Sequence, residues 1–159
     1  MTRTETTIRR ATPADVAEVA RLGGALVRQH HAYDPRRFVL FDPLEEGLAE
    51  FYREQLDRPD ALLLAAGETG TVAGFSFARL EPEDLMIMRP AVGCIHDLYV
   101  DPAARGGGLG ARLLDAAIDG LRQLGSAGVM LVVAPQNEPA RKLFRRRGFR
   151  CTIEEMRLD

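Results

Sequence analysis

The sequence has 159 residues, 46% of them hydrophobic and 28% charged, which is the balance of one globular domain and excludes a disordered or fibrous chain. A net charge of −2 leaves no basic field for holding nucleic acid, and two cysteines, Cys94 and Cys151, without zinc spacing suit neither a disulfide framework nor a metal site. Apolar runs such as Ala61–Ala66 fall well short of the ~18 residues of a membrane span, and the N-terminus carries no signal-like stretch, so a cytoplasmic protein bound to no membrane is expected.

In chain order, Thr6–Arg10 reads as a short strand. Thr12-Pro13-Ala14-Asp15 is a helix start, with Thr12 as N-cap and Pro13 in the first turn, and apolar positions at helical spacing continue to about Gln29. His30–Phe41 lacks a period and reads as an aromatic-rich loop, followed by a second helix from Asp42-Pro43 to about Leu56. Ala61–Ala66 and Val72–Leu80 form a hairpin about the turn Gly67–Gly70, and Pro82–Pro90 is a loop. Gly93–Val100 is a strand, Leu109–Leu124 a strongly amphipathic helix, Val129–Val133 a buried strand and Glu138–Arg147 a helix stopped by Gly148. Alternation over Phe149–Leu158 predicts a closing strand. The order β-α-α-β-β-β-α-β-α-β is that of a mixed α/β domain over residues 1–159, not of a regular βαβ repeat.

The most informative stretch is Arg105-Gly106-Gly107-Gly108-Leu109-Gly110-Ala111, between a strand and a helix. Glycines at a helix start present unpaired N–H groups and the positive end of the helix dipole, a combination suited to a pyrophosphate, with Arg105 adding a cation. A Walker loop needs Lys then Ser or Thr after the glycine, which Gly110-Ala111 does not supply. A dinucleotide fingerprint matches only in part, as Gly106-x-Gly108-x-x-Ala111, and lacks its downstream acid. The third pattern, Arg/Gln-x-x-Gly-x-Gly/Ala, is met by Arg105, Gly108 and Gly110.

With the opening Ile8-Arg9-x-Ala11 and Asp15, the strand Leu98-Tyr99-Val100, and the late Asn137-x-x-Ala140-x-x-Leu143-Phe144 ending in Gly148-Phe149, the chain resembles the GNAT family of N-acetyltransferases along nearly its whole length. The resemblance implies a three-layer fold with a central, mostly antiparallel twisted sheet, splayed between strands 4 and 5 and flanked by helices. It implies acetyl-CoA as acetyl donor, no metal, a small-molecule amine as acceptor, and a fold that often forms homodimers. It also implies that Leu98, Tyr99 and Val100 bind the acetyl and pantetheine portions, that Arg105 to Ala111 cradle the pyrophosphate, and that Asn137 and Phe144 hold the cofactor arm. The family usually has a tyrosine acid where this chain has Phe144.

Acetyl transfer needs a neutral amine, donors for the developing oxyanion and an outlet for the thiolate. His96, Asp97 and Tyr99 are the nearest candidate proton-handling groups. Strict alternation puts His96 on one face with Leu98 and Val100, and Asp97 on the other with Ile95 and Tyr99. His31, Tyr33, Phe38 and Phe41 are the candidate acceptor-binding residues, for a small cation with an apolar body, alongside His30 and Asp34. The cationic run from Arg141 to Arg150 reads as a solvated helix face. A protein lysine or N-terminus as acceptor, and a non-catalytic acetyl-CoA-binding regulatory module, are the alternative readings.

Overall fold

The computed structural model describes residues 6–159. A five-stranded sheet has the order β1 (Ile8–Arg10), β2 (Ala61–Glu68), β3 (Thr71–Glu81), β4 (Val92–Val100) and β5 (Val129–Leu131). The first four strands run antiparallel to their neighbours, and β5 joins β4 in parallel. Helices α1 (Val16–Tyr33) and α2 (Leu44–Gln55) cover one face, where Leu22, Leu26 and Tyr52 pack on Leu63, Phe75 and Phe77. Helices α3 (Leu109–Gln123) and α4 (Glu138–Arg146) cover the other, where Leu113, Leu114 and Leu121 meet Leu62, Leu64 and Ile95. The alternation of β2 thus feeds both cores, with Leu62 and Leu64 on one side and Leu63 and Ala65 on the other. Among the described residues, no helix is long and apolar enough to cross a membrane.

Three expectations are corrected. Helix α1 continues through His30, His31 and Tyr33, so the connecting loop begins at Asp34 and not at His30. No proline or glycine lies between Leu26 and Pro35, and the helix carries on past its last buried apolar position. Residues 149–159 form no strand: the alternation there has no neighbour to pair with, and Ile153, Met156 and Leu158 stay exposed. The segment is held by ion pairs to the α1–α2 loop instead, Arg37 with Glu155 and Arg36 with Asp159. Pairing in β5 ends at Leu131, two residues short of the expected strand end.

Asp15 ties the start of α1 to the sheet. Its fully buried carboxylate accepts from Arg9 Nη1 and Nη2 (2.7 and 2.9 Å), the Thr12 N–H (2.8 Å) and hydroxyl (2.9 Å), and the Gly70 N–H at the β2–β3 turn (2.9 Å). The Arg9 bonds, with help from Gly70 and Thr12, hold its pKa far below the usual carboxylate value despite burial. A carboxylate with a depressed folded pKa adds stability that is present above its unfolded pKa and lost as pH falls through the folded value. Asp15→Asn is therefore expected to lower stability at pH 7 by about 3 kcal/mol, the scale for breaking a buried pair. Urea unfolding at pH 7 and pH 3 checks this, with the variant showing the shallower loss toward acid.

Candidate active site

Two departures from regular sheet geometry build the site. The β4–β5 ladder contains only Gly93–Val129, Cys94–Met130 and Ile95–Leu131, after which the strands separate. The separation opens a cleft of about 60 Å³ lined by Ile95, His96 and Leu98 of β4, Leu131 to Val133, Leu26 and His30 of α1, and Asn137, Ala140 and Phe144. The second departure is a β-bulge. Phe77 pairs with Asp97 and Ala78 with Ile95, so His96 is surplus on β4.

The bulge reverses the side on which backbone groups emerge. Upstream, the Gly93 N–H donates to Gly128 O (3.1 Å), on the β5 side. Downstream, the Asp101 N–H donates to Ala73 O (2.8 Å), on the β3 side. An unbroken strand would send both the same way, since N–H directions alternate and the two residues are an even number apart. One extra residue accounts for the reversal, and it turns the N–H groups of Leu98 and Val100 toward the cleft.

The bulge also corrects the expected division of faces. Ile95 shares the α3-side core with Leu98 and Val100. His96 joins Asp97 and Tyr99 on the α1–α2 side, stacked on Phe77 with ring centroids 5.4 Å apart. There, His96 Nε2 lies 2.8 Å from Glu81 Oε1, and Nδ1 lies 4.0 Å from Cys94 Sγ. Burial opposes ionisation of Glu81, but hydrogen bonds from Arg79 (2.7 Å) and His96 outweigh it and lower its pKa. An ionised Glu81 can only accept, so Nε2 carries the proton and Nδ1 holds the basic lone pair. Glu81 escaped the sequence reading as a partner of His96 because hairpin register and bulge together bring it there.

Asp97 is turned toward α2, where Tyr52 donates to its Oδ2 (2.9 Å). Desolvation raises the Asp97 pKa against the effect of that bond, and burial followed by the neighbouring Asp97 charge raises that of Tyr52. Gly23 makes room for the phenol: a β-carbon there would stand 2.9 Å from the Tyr52 hydroxyl. Tyr99 is buried in the same core, with the Arg105 guanidinium 5.2 Å from its ring centroid, and does not line the cleft.

At the end of β4, Arg105 Nε donates to Val100 O (2.9 Å) and the glycines begin. Gly106 and Gly108 have φ of +87° and +77°, which L side chains rarely adopt, and a β-carbon on either would meet open space. Gly107 is exposed, and Gly108 is the N-cap of α3, so Leu109, Gly110 and Ala111 form its open first turn. The result is a backbone concavity with nothing in it to obstruct an anion. Asn137 caps α4 by accepting from the Ala140 N–H (3.3 Å), which leaves its NH₂ group free of that role at the cleft wall. Phe144 is buried against Phe149 and offers no proton donor.

Of the aromatic candidates, Phe38 lines a second cavity of about 330 Å³ that shares Val132 and Val133 with the cleft. Asp34, Arg37, Glu155, Arg157 and Asp159 supply its charged wall. His31 Nδ1 bonds Phe38 O (2.9 Å), Tyr33 accepts from Gln29 (2.7 Å), and Phe41 lies over Gly47, so none of these three lines either space. His30 does line the cleft; its Nδ1–H donates to Leu26 O (2.9 Å), leaving Nε2 as the basic nitrogen. Among the described residues, no group of three His, Cys, Asp or Glu is placed to hold a metal ion.

Burial, followed by the nearby Glu81 charge, pushes the Cys94 thiol up to about 11, whereas Cys151 is exposed. Iodoacetamide at pH 8 should therefore add one label to the folded chain and two to the denatured one, counted by mass spectrometry. Equal labelling of both cysteines in the folded chain would contradict the described burial.

The Acetyltransferase (GNAT) family model matches residues 28–149. A mycothiol acetyltransferase of Saccharomonospora viridis is 38% identical over 111 residues, 69% of this chain and 36% of that protein. The chain thus spans about a third of the length of that relative. The uncharacterized N-acetyltransferase YhfO of Bacillus subtilis is 30% identical over 89% of this chain and 88% of its own. Among solved structures, a tetramutant of the BH1408 protein of Bacillus halodurans superposes with a TM-score of 0.81 at 26% identity, covering 96% of this chain and 99% of that one.

Proposed function

The chain belongs to the GNAT family, and from that premise we propose that it is an N-acetyltransferase that transfers the acetyl group of acetyl-CoA directly to a bound small-molecule amine. The observation that carries this reading is the bulge-turned backbone of Leu98 and Val100, running into the glycine concavity at the start of α3. When bound, acetyl-CoA supplies an activated acyl carbon. The backbone N–H groups of Leu98 and Val100 bond the acetyl and pantetheine portions, and the groups from Arg105 to Ala111 hold the pyrophosphate. Asn137, Ala140 and Phe144 form the opposite wall of the cleft.

The proton is the harder problem. An alkyl amine with pKa ≈ 10.4 costs about 4–5 kcal/mol to deprotonate at pH 7. His96 Nδ1 accepts that proton, directly or through one water, while Glu81 holds the ring and stabilises the imidazolium. Charge developing on the carbonyl oxygen is met by the Leu98 N–H, fixed before the reaction begins. No side-chain acid stands at Phe144, so the coenzyme would leave as its thiolate and take a proton from solvent afterwards; with a thiol pKa ≈ 8.5, leaving unprotonated at pH 7 costs only about 2 kcal/mol.

A small amine fits the cavity beside the cleft, whose 330 Å³ lies in the range typical of small-molecule sites. Its rim carries carboxylates, of which Asp34 is engaged by the N–H groups of Arg36 and Arg37. The two cysteines form no disulfide with each other, which suits a reducing cytoplasm.

Release of coenzyme thiol from acetyl-CoA, followed across a panel of small amines and a lysine peptide, tests this reading. A small amine should saturate at a higher kcat/KM than the peptide. Binding of acetyl-CoA without thiol release would instead favour a regulatory module. His96→Ala is expected to lower kcat/KM by about 10²–10³ at pH 7, with the loss shrinking toward pH 9–10 as free amine accumulates. An equal loss for His30→Ala and none for His96→Ala would move the base to α1.

A further inference from the structure

Ser76 is a fully buried hydroxyl in β3, a central strand whose neighbouring buried positions are apolar. A polar group in that place calls for a partner, and its hydroxyl donates to the backbone carbonyl of Asp97, 2.9 Å away. That carbonyl belongs to the first peptide unit after the bulge, where regular pairing resumes with Asp97 opposite Phe77 and Leu98 opposite Ser76. We infer that Ser76 is a positioning residue for acetyl transfer, fixing the Asp97–Leu98 peptide so that the Leu98 N–H is aimed into the cleft.

A trans peptide is planar, and its C=O and N–H point in opposite directions. A hydroxyl that holds the Asp97 carbonyl toward β3 therefore holds the Leu98 N–H toward the separated edge of β4. The backbone directions further along the strand agree, since downstream of the bulge the Asp101 N–H also faces β3 and Arg105 reaches the Val100 carbonyl from outside the sheet. Ser76 touches neither the cleft nor any group that handles a proton. Its contribution is to keep one backbone donor from wandering, and donors act strongly only when their direction is set beforehand.

The inference rests on the proposed use of acetyl-CoA, and its test separates the two. With acetyl-CoA labelled by ¹³C at the acetyl carbonyl, difference infrared spectroscopy reads the thioester stretch directly and needs no knowledge of the acceptor. Bound to the unaltered protein, the stretch should move to lower frequency than in water-free reference solvent, as a polarised carbonyl does. Ser76→Ala should bind acetyl-CoA with nearly the same affinity but lose most of that displacement. With the best amine of the panel, its kcat should fall about tenfold while KM for acetyl-CoA changes less than twofold. Ser76→Thr, which keeps the hydroxyl, should restore both readings. Ser76→Cys keeps the shape and weakens the donor, so it gives the same loss if the alanine variant fails to fold. An unchanged stretch and kcat in the Ala or Cys variant, beside a displaced stretch in the unaltered protein, overturns the role of Ser76 alone. Absence of acetyl-CoA binding to the unaltered protein overturns the proposed function, and this inference with it.

Discussion

Between Phe77 and Ala78 the β3–β4 ladder passes over His96, and that surplus residue sets the direction of everything downstream on β4. Without it, His96 would enter the α3-side core beside Leu98, and the N–H groups of Leu98 and Val100 would be spent on β3. With it, His96 lies on Phe77 within reach of Glu81, Asp97 reaches Tyr52, and two backbone donors are left facing a cleft. A side-chain arrangement and a backbone arrangement thus have one origin. The cleft itself comes from a separate constraint: β4 and β5 share three residue pairs, and β5 then gives way to the turn that leads into α4, the helix Asn137 caps.

The electrostatic character of the site divides into three zones. The start of α3 offers uncompensated N–H groups with no side chain in the way, the environment that favours a diffuse anion. The middle of β4 carries a histidine whose tautomer is set by an ionised glutamate. Behind it, Asp97 and Tyr52 are desolvated and joined by a hydrogen bond from the phenol to the carboxylate. Under the proposed function, the anion site, the proton acceptor and the group behind it lie along a single strand and the loop after it. This order suits a reaction in which a charged cofactor stays bound while its far end meets a neutral nucleophile.

Much of this was legible in the sequence, and the exceptions have physical causes. The glycine loop could be read because its chemistry is local: Gly106 and Gly108 need positive φ, and the amphipathic face of α3 starts at Leu109. The helices and hairpin followed from periodicity, as Leu62 to Ala65 alternating between two cores illustrates. The bulge could not be read, because it is a property of two strands in register and not of either alone. Glu81 was missed as a partner of His96 for the same reason. His30 and His31 read as loop because the buried face of α1 ends at Leu26, although the backbone continues in helix where no residue opposes it. Residues 149–159 show the opposite error: alternation signals strand capability, and a strand forms only beside a neighbour.

The central claim is that the open cleft and the glycine concavity form one site for acetyl-CoA. Thermal unfolding with and without acetyl-CoA, on the unaltered chain and on Gly108→Ala, tests it most directly. At a hundred times the dissociation constant, binding adds about 2.7 kcal/mol, which is roughly 5–10 °C for a chain of this length. The account predicts a displacement of that order in the unaltered protein and a much smaller one in the variant, whose β-carbon would demand a strained φ at the concavity. No displacement with acetyl-CoA, or an equal one in both proteins, would contradict it.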